Sequence, residues 1–258
     1  MIRLRHSYHC VSLAASTNRR NLMIDQFKKA DIHVRFFDGV LVSGTDRDQI
    51  AAKEGVTLAK FAHRLTMGEL GCYFSHRRLW QALVDSDDEA YVIFEDDMLL
   101  EPGFKKTAEA LMARDSGFDV VRLGPLVPRM RRHRYANLGD GRAVYWTKST
   151  AWGMGSYMIT KDAARALVQS TKTFWGAVDA DIDRVWVHGK KVQMVYPVAA
   201  RPMDIPSIIG VRLEDYERDF TFHERWWRRG TRHLYRFVVL LQRIKSRRHQ
   251  RRLNAFAR

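Results

Sequence analysis

Tyr91-Val92-Ile93-Phe94-Glu95-Asp96-Asp97 is the stretch that decides the fold. Residues 90–94 form a short apolar run, the pattern of a strand buried on both faces, and the run stops abruptly at three acids. Such a strand belongs to a sheet covered by helices. Its terminal acids then lie at the sheet's C-terminal edge, where open α/β folds keep their ligand cleft.

Upstream, residues 8–13 read as a first strand, followed by the polar turn Ala15-Ser16-Thr17-Asn18. A helix is predicted over residues 19–30, with Leu22, Met23, Gln26 and Phe27 on neighbouring turns. Residues 34–37 make a second short strand ending at Asp38-Gly39, which completes a βαβ start suited to a parallel sheet. Residues 44–64 read as a loop and a short helix. Thr66, with Glu69 three residues on, forms a capping box that opens a helix through Leu70, Phe74, Arg77, Arg78, Trp80 and Leu83. Downstream, Pro102-Gly103 precedes a helix to about residue 112, and residues 118–123 form a strand. Residues 127–141 read as a basic loop (Arg129, Arg131, Arg132, Arg134). Strands at 143–146, 155–159 and 192–196 and a helix at 161–169 complete the pattern. The alternation predicts an α/β class, a mixed sheet flanked by helices.

The 258 residues are 46% hydrophobic, enough for one large domain with an appendage. Two cysteines, Cys10 and Cys72, argue against a disulfide scaffold and for a reducing compartment. The chain has no run of 18 apolar residues and its start lacks a secretory apolar segment, so a soluble or peripheral protein is expected. The net charge of +15 is unevenly placed: residues 223–258 hold 12 Lys and Arg against one acid, while the other 222 residues hold 32 basic and 28 acidic. Two units follow, a body over 1–222 and a basic amphipathic tail over 223–258. The nearly balanced body argues against a nucleic-acid-binding protein with a structural acidic turn, and the lack of dense His/Asp clusters argues against a metal-dependent phosphodiesterase.

Three neighbouring carboxylates repel one another unless a cation offsets them. Hard oxygen ligands at a sheet edge suit Mg²⁺ or Mn²⁺ bridging two phosphates. The alternative is an ordinary acidic turn in which Asp96 or Asp97 caps the next helix. On the helix that follows Thr66, Glu69, Cys72 and His76 share one face. Glu69 and His76 reach a ligand across the sheet edge, or else Glu69 serves only the capping box and His76 is a satisfied, half-buried ring.

Together these pieces resemble glycosyltransferase family 25, the lipooligosaccharide galactosyltransferases and their collagen-modifying relatives. The matching stretches are Ser16-x-x-Arg19-Arg20 and Phe36-Phe37-Asp38-Gly39-Val40. Then come Gly68-Glu69-x-Gly71-Cys72-x-x-Ser75-His76 with Trp80, and Ile93-x-Glu95-Asp96-Asp97. Arg122-Leu123-Gly124, Gly153-x-Gly155-x-Tyr157-x-Ile159-Thr160 and Val178-Asp179 follow in the same order. The first strand reads Val-Ser-Leu-Ala where Ile-Asn-Leu-Asp is more usual in the family, and Ala177 replaces a common proline.

The resemblance implies a GT-A-like, Rossmann-type fold, a UDP-hexose donor (usually UDP-galactose) and transfer with inversion to a lipopolysaccharide, lipooligosaccharide or other cell-surface glycan. It places a divalent cation, Mn²⁺ or Mg²⁺, on Glu95 and Asp97. Donor contacts would fall on Leu13, Ser16, Arg20, Asp38, Gly39, Glu69, Ser75, His76 and Asp96. Inversion needs a general base. Asp179 is the candidate, with Asp181 and Asp183 close by and a helix N-cap for residues 180–188 as the alternative role. Trp152, Gly153, Gly155 and Trp175 would line the acceptor or sugar site. Ser16, Arg19 and Arg20, in the first strand-to-helix turn, would meet the diphosphate or ribose.

The tail mixes arginines with bulky apolars (Leu234, Phe237, Val238, Leu241 and Ile244). It suits a basic helix on an anionic membrane surface; packing against the body and nucleic-acid binding are the alternatives. The expected location is cytoplasmic, peripheral on the inner face of the cell membrane.

Overall fold

A computed structural model describes residues 3–44, 46–60, 62–113, 117–124, 132–139, 141–147 and 153–205, with positions 233, 237, 238, 240 and 241. The chain opens with β1 (His6–Ser12), α1 (Thr17–Lys29) and β2 (Val34–Asp38), the βαβ start read from the sequence. α2 (Arg47–Lys53), β3 (Thr57–Leu58) and a 3-10 turn at Ala62–Arg64 lead to α3 (Met67–Asp85). β4 (Ala90–Glu95), β5 (Met98–Leu100), α4 (Phe104–Leu111), β6 (Val120–Arg122), β7 (Arg132–Gly139), β8 (Arg142–Thr147) and β9 (Ser156–Thr160) follow. The described body closes with α5 (Lys161–Ser170), β10 (Thr173–Phe174), α6 (Val178–Ile182), α7 (Val185–His188), β11 (Val192–Tyr196) and β12 (Ala200–Pro202).

Eight strands form one sheet in the order β2-β1-β4-β9-β6-β11-β8-β7. β1 pairs in parallel with β2 and β4, while β9 runs antiparallel between β4 and β6. β11 is parallel to β6 and antiparallel to β8. This is the mixed, Rossmann-type α/β sheet flanked by helices that the sequence predicts. Its parallel strands all end at one edge, so Ser12, Asp38, Glu95 and Arg122 are delivered there together. The register sets Ser12 opposite Asp38 and Val11 opposite Glu95.

β4 is the central apolar strand, buried at every position from 90 to 94. Burial on both faces explains why it carries no polar alternation. No helix begins directly after it; Met98–Leu100 is a strand, so neither Asp96 nor Asp97 is a helix cap. The stretch 127–141, read as a basic loop, is corrected where it is described: residues 132–139 are a strand that forms a hairpin with β8. The arginines hide its inward residues. Tyr135 is buried between Phe118 and Trp146, at ring separations of 5.7 and 5.6 Å.

α3 begins as its sequence says. The Thr66 N–H donates to the Glu69 carboxylate (2.7 Å) and the Glu69 N–H donates to Thr66 Oγ1 (3.1 Å). The helix is buried along Leu70, Gly71, Phe74, Ser75 and Leu79 and seats on the segment after β2. There Ser75 Oγ accepts from the Val40 N–H (2.8 Å) and donates to the Gly71 carbonyl (2.6 Å). Gly71 permits the approach, because a Cβ there would lie 2.4 Å from the Val40 carbonyl oxygen.

The tail outside positions 233, 237, 238, 240 and 241 lies outside the described residues, Leu234 and Ile244 included. These five positions are helical. Val238 packs partly against the core, whereas Phe237, Leu240 and Leu241 are exposed. Among the described residues no helix is long and apolar enough to cross a membrane.

The close seating of α3 is testable. Gly71→Ala is expected to cost about 1–3 kcal/mol through forced displacement of the 39–42 segment, a fall of roughly 2–10 °C in Tm. Thermal melting followed by circular dichroism reads it, and an unchanged midpoint would show that the segment yields freely.

Candidate active site

The three acids at the end of β4 have separate partners. Asp96 is buried, accepting from Ser12 Oγ at 2.6 Å and from the Arg19 guanidinium at 2.7 Å. It therefore ties the end of β1 to the first turn of α1. Arg20, beside Arg19, donates to the Ser12 carbonyl (2.8 Å) and to Asp38 at the end of β2 (2.5 Å). Gly39 closes this corner through an N–H bond to the Ser12 carbonyl (2.9 Å), and its would-be Cβ lies 3.4 Å from Leu13. The Ser16 N–H donates to the Leu13 carbonyl (2.9 Å), forming the turn into α1.

Glu95 faces the other way, toward α3. Its Oε1 lies 3.5 Å from Cys72 Sγ and 3.3 Å from His76 Nε2. His76 is fully buried, and its Nδ1 lies 2.9 Å from the Tyr157 hydroxyl, which also accepts from Trp80 Nε1 at 2.9 Å. Trp80, Tyr157, His76 and Glu95 thus make one continuous polar chain across α3, β9 and β4. Burial alone would raise the Glu95 pKa, but hydrogen bonds from His76 and Cys72, together with the charges of His76 and Arg19, hold it below the ordinary carboxylate value. Burial pushes the Cys72 thiol well up, and the negative charges of Glu95, Asp179 and Glu69 push it further.

Asp179 sits at the second position of α6, half-buried. Its Oδ2 accepts the Gly153 N–H at 3.0 Å and its Oδ1 accepts the Ala180 N–H at 2.8 Å. The helix starts at Val178 with Ala177 as its N-cap, so the N-cap role for Asp179 is corrected. Asp181 is buried, and its carboxylate accepts from the Tyr73 hydroxyl (2.7 Å), the Trp175 N–H (2.9 Å) and Arg184 (3.3 Å). Its pKa is raised because burial outweighs those three donors. Asp183 pairs with Arg122 at 2.7 Å, their side chains only 2% and 1% exposed. Arg122 also donates to the Asp179 carbonyl at 3.2 Å, fixing the start of α6 from the end of β6.

The same edge takes in the glycine pair of the β9 approach. The Glu95 N–H donates to the Gly155 carbonyl (2.8 Å), and a Cβ on Gly155 would lie 2.4 Å from Met98 Sδ. Trp175 is 38% exposed, with the Arg184 guanidinium 4.7 Å from its ring centroid. The strand-end carboxylates, the Asp179 carboxylate held by two backbone N–H groups and the exposed Trp175 indole are therefore set along one sheet edge. The family model described as glycosyltransferase family 25 (LPS biosynthesis protein) matches residues 6–182. The chain belongs to glycosyltransferase family 25.

The family relatives differ in what their names say. This family-25 chain is 31% identical over 169 residues to a glycosyltransferase 25 family member of Aedes aegypti, covering 62% of this chain and 27% of that protein. Against the lacto-N-neotetraose biosynthesis glycosyltransferase LgtB of Neisseria meningitidis it is 31% identical over 168 residues, covering 61% and 58%. Against procollagen galactosyltransferase 2 of Homo sapiens it is 25% identical over 172 residues, covering 61% and 26%. The chain spans from 26% to 58% of the length of these relatives.

The structure brings together Leu13, Ser16, Arg20, Asp38, Gly39 and Asp96 on the β1–β2 side. His76, Glu95, Asp179, Gly153 and Gly155 gather on the α3–β9 side. Glu69 and Ser75 are engaged locally, one in the cap and the other under Val40. Trp152 lies outside the described residues. Sequence reasoning gave no role to Ser12; it gave Arg122 and Tyr157 only as motif matches, Cys72 only as a neighbour of His76 on one helix face, and Asp183 only as a neighbour of the candidate base. The one local signal was Arg122 itself, an arginine at the end of the apolar run Val120-Val121 that demands a buried partner.

The Arg122–Asp183 pair predicts a large asymmetry. Asp183→Ala strands a buried guanidinium and is expected to cost about 3–5 kcal/mol, whereas the double variant Arg122→Met, Asp183→Leu recovers most of that loss. Urea unfolding measures both. Equal loss in the single and double variants would show that the pair's geometry, not its charge balance, holds α6.

Proposed function

We propose that this chain is an inverting, divalent-cation-dependent glycosyltransferase that moves a hexose, galactose from UDP-galactose, onto a lipopolysaccharide, lipooligosaccharide or related cell-surface glycan. The observation that carries the reading is the fixed Asp179 carboxylate, which holds the Gly153 N–H two residues before the Gly155 carbonyl that accepts the Glu95 N–H. A proton acceptor and the end of β4 are therefore tied to one short segment. The procollagen galactosyltransferase relative supports the galactosyl part, and the family's LPS biosynthesis description with the LgtB relative supports the glycan acceptor.

Glu95 and Asp97 fit a hard cation. Asp96 between them is consumed by Ser12 and Arg19, while Glu95 keeps a quarter of its side chain exposed and its pKa low. Mn²⁺ or Mg²⁺ bound there would stabilise charge on the departing nucleoside diphosphate. The protein's own groups supply the rest. Ser16 and Arg20, at the first strand-to-helix turn, meet the diphosphate or ribose, and Asp38 and Gly39 shape that corner. Glu69 and His76 stand behind the sugar-facing side, with Trp175 offering an apolar face to a ring. Asp179, held by two backbone N–H groups, takes the proton from the acceptor hydroxyl as it attacks.

In this reading the enzyme works in the cytoplasm on the inner membrane face, held there by the basic tail over 223–258. Its +11 charge and exposed Phe237, Leu240 and Leu241 are suited to an anionic lipid surface.

Turnover of UDP-galactose is expected to vanish in EDTA and return with Mn²⁺. Asp179→Asn is expected to lower kcat at least 100-fold with the melting temperature preserved. Full turnover in EDTA, with the product confirmed by mass, rules out the cation's role, and an undiminished kcat in Asp179→Asn rules out the base. In co-sedimentation, the intact protein should bind vesicles containing phosphatidylglycerol but not pure phosphatidylcholine, and lose binding as salt is raised, because screening acts over about 8–10 Å at physiological ionic strength. Equal binding to both vesicle types defeats the electrostatic attachment.

A further inference from the structure

Cys72, His76 and Glu95 offer a sulfur, an imidazole nitrogen and a carboxylate oxygen whose ligand atoms all lie within 4.8 Å of one another. That donor set differs in kind from the all-oxygen pair of Glu95 and Asp97. Thiolate and imidazole suit Zn²⁺ and its borderline neighbours, and carboxylates alone suit Mg²⁺ or Mn²⁺. We propose that Cys72, His76 and Glu95 form a three-ligand site for a borderline divalent cation of the Zn²⁺ class.

Geometry supports this first. A tetrahedral Zn²⁺ about 2.3 Å from sulfur and about 2.0–2.2 Å from nitrogen and oxygen sets neighbouring ligand atoms roughly 3.3–3.6 Å apart. The Cys72 Sγ to Glu95 Oε1 separation is 3.5 Å and the His76 Nε2 to Glu95 Oε1 separation is 3.3 Å. Two edges of the tetrahedron are therefore already set. Cys72 and His76 stand four residues apart on α3 and so share a face, and Glu95 arrives from the end of β4.

The surroundings support it a second time. Metal-binding histidines are oriented by a partner on the other ring nitrogen. His76 Nδ1 has one in the buried Tyr157 hydroxyl, which is itself fixed by Trp80. On binding, the Cys72 thiol proton passes to solvent, and His76 keeps one proton on Nδ1, donated to Tyr157. Three protein ligands leave a fourth position for water or a substrate oxygen, the coordination of catalytic rather than structural zinc sites.

Cobalt(II) tests the site directly. Metal-free, reduced full-length protein titrated with Co²⁺ should develop a thiolate-to-cobalt charge-transfer band and the intense visible bands of a four-coordinate ion, saturating at one equivalent. Zn²⁺ should abolish both bands. Cys10→Ser should retain the charge-transfer band and Cys72→Ser should lose it, while His76→Gln should weaken Co²⁺ binding at least tenfold. Absence of the band from the unmodified protein overturns the proposal whatever the variants do, as does its survival in folded Cys72→Ser. The outcome is separable from that of the transfer reading. Mn²⁺-supported transfer without the cobalt band removes only this site, and the band in a protein that turns over no nucleotide sugar removes only the transfer reading.

Discussion

Three consecutive carboxylates at the end of a buried strand are an electrostatic load that the surrounding structure must divide. Two like charges 4 Å apart repel by about 4 kcal/mol at the effective dielectric of a protein surface. The protein answers by sending adjacent acids to opposite sides. Asp96 turns to Ser12 and Arg19 and locks the β1–α1 corner. Glu95 turns to His76 and Cys72 and locks α3 against the sheet. The β1–α1 corner and α3 are thus joined through neighbouring residues of one strand end.

That division explains why α3 must approach so closely. For His76 to reach Glu95 while holding Tyr157, the helix has to lie against the segment after β2, and Gly71 is what permits it. The capping box fixes where the helix begins and therefore which face carries Cys72 and His76. Glu69 is spent on Thr66, so of the two readings offered by the sequence the structure shows the cap.

Much of this was legible in the sequence because its causes are local. The apolar run ending in acids, the Thr66–Glu69 box and the βαβ start depend on neighbours a few residues away, and each is found where expected. What escaped depends on partners far along the chain. Arg122 meets Asp183 and the Asp179 carbonyl, and Tyr157 meets His76 and Trp80. No spacing rule joins those positions. β7 was hidden for a different reason: its arginines outweigh the buried Tyr135 and Ala136 in any local pattern. The start of α6 was misplaced because Ala177, which offers no side-chain cap, precedes it in place of a recognisable signal.

The three aspartates of that same helix show how environment separates identical side chains. Asp183 is matched to a buried guanidinium, and its charge is committed to holding β6 against α6. Asp181 is buried under Tyr73, Trp175 and Arg184, and desolvation lifts its pKa despite them, so its proton economy is turned inward. Asp179 differs from both. Its donors are two backbone N–H groups, which orient a carboxylate without bringing a compensating charge. It is half-buried, and it holds the Gly153 N–H two residues before the Gly155 carbonyl that accepts the Glu95 N–H. A carboxylate that is oriented, uncommitted to an ion pair and adjacent to the strand-end acids is the one suited to accept a proton during transfer. Alternate positions over a single turn thus yield one half-buried, oriented carboxylate and two buried struts, and burial rather than sequence sets them apart.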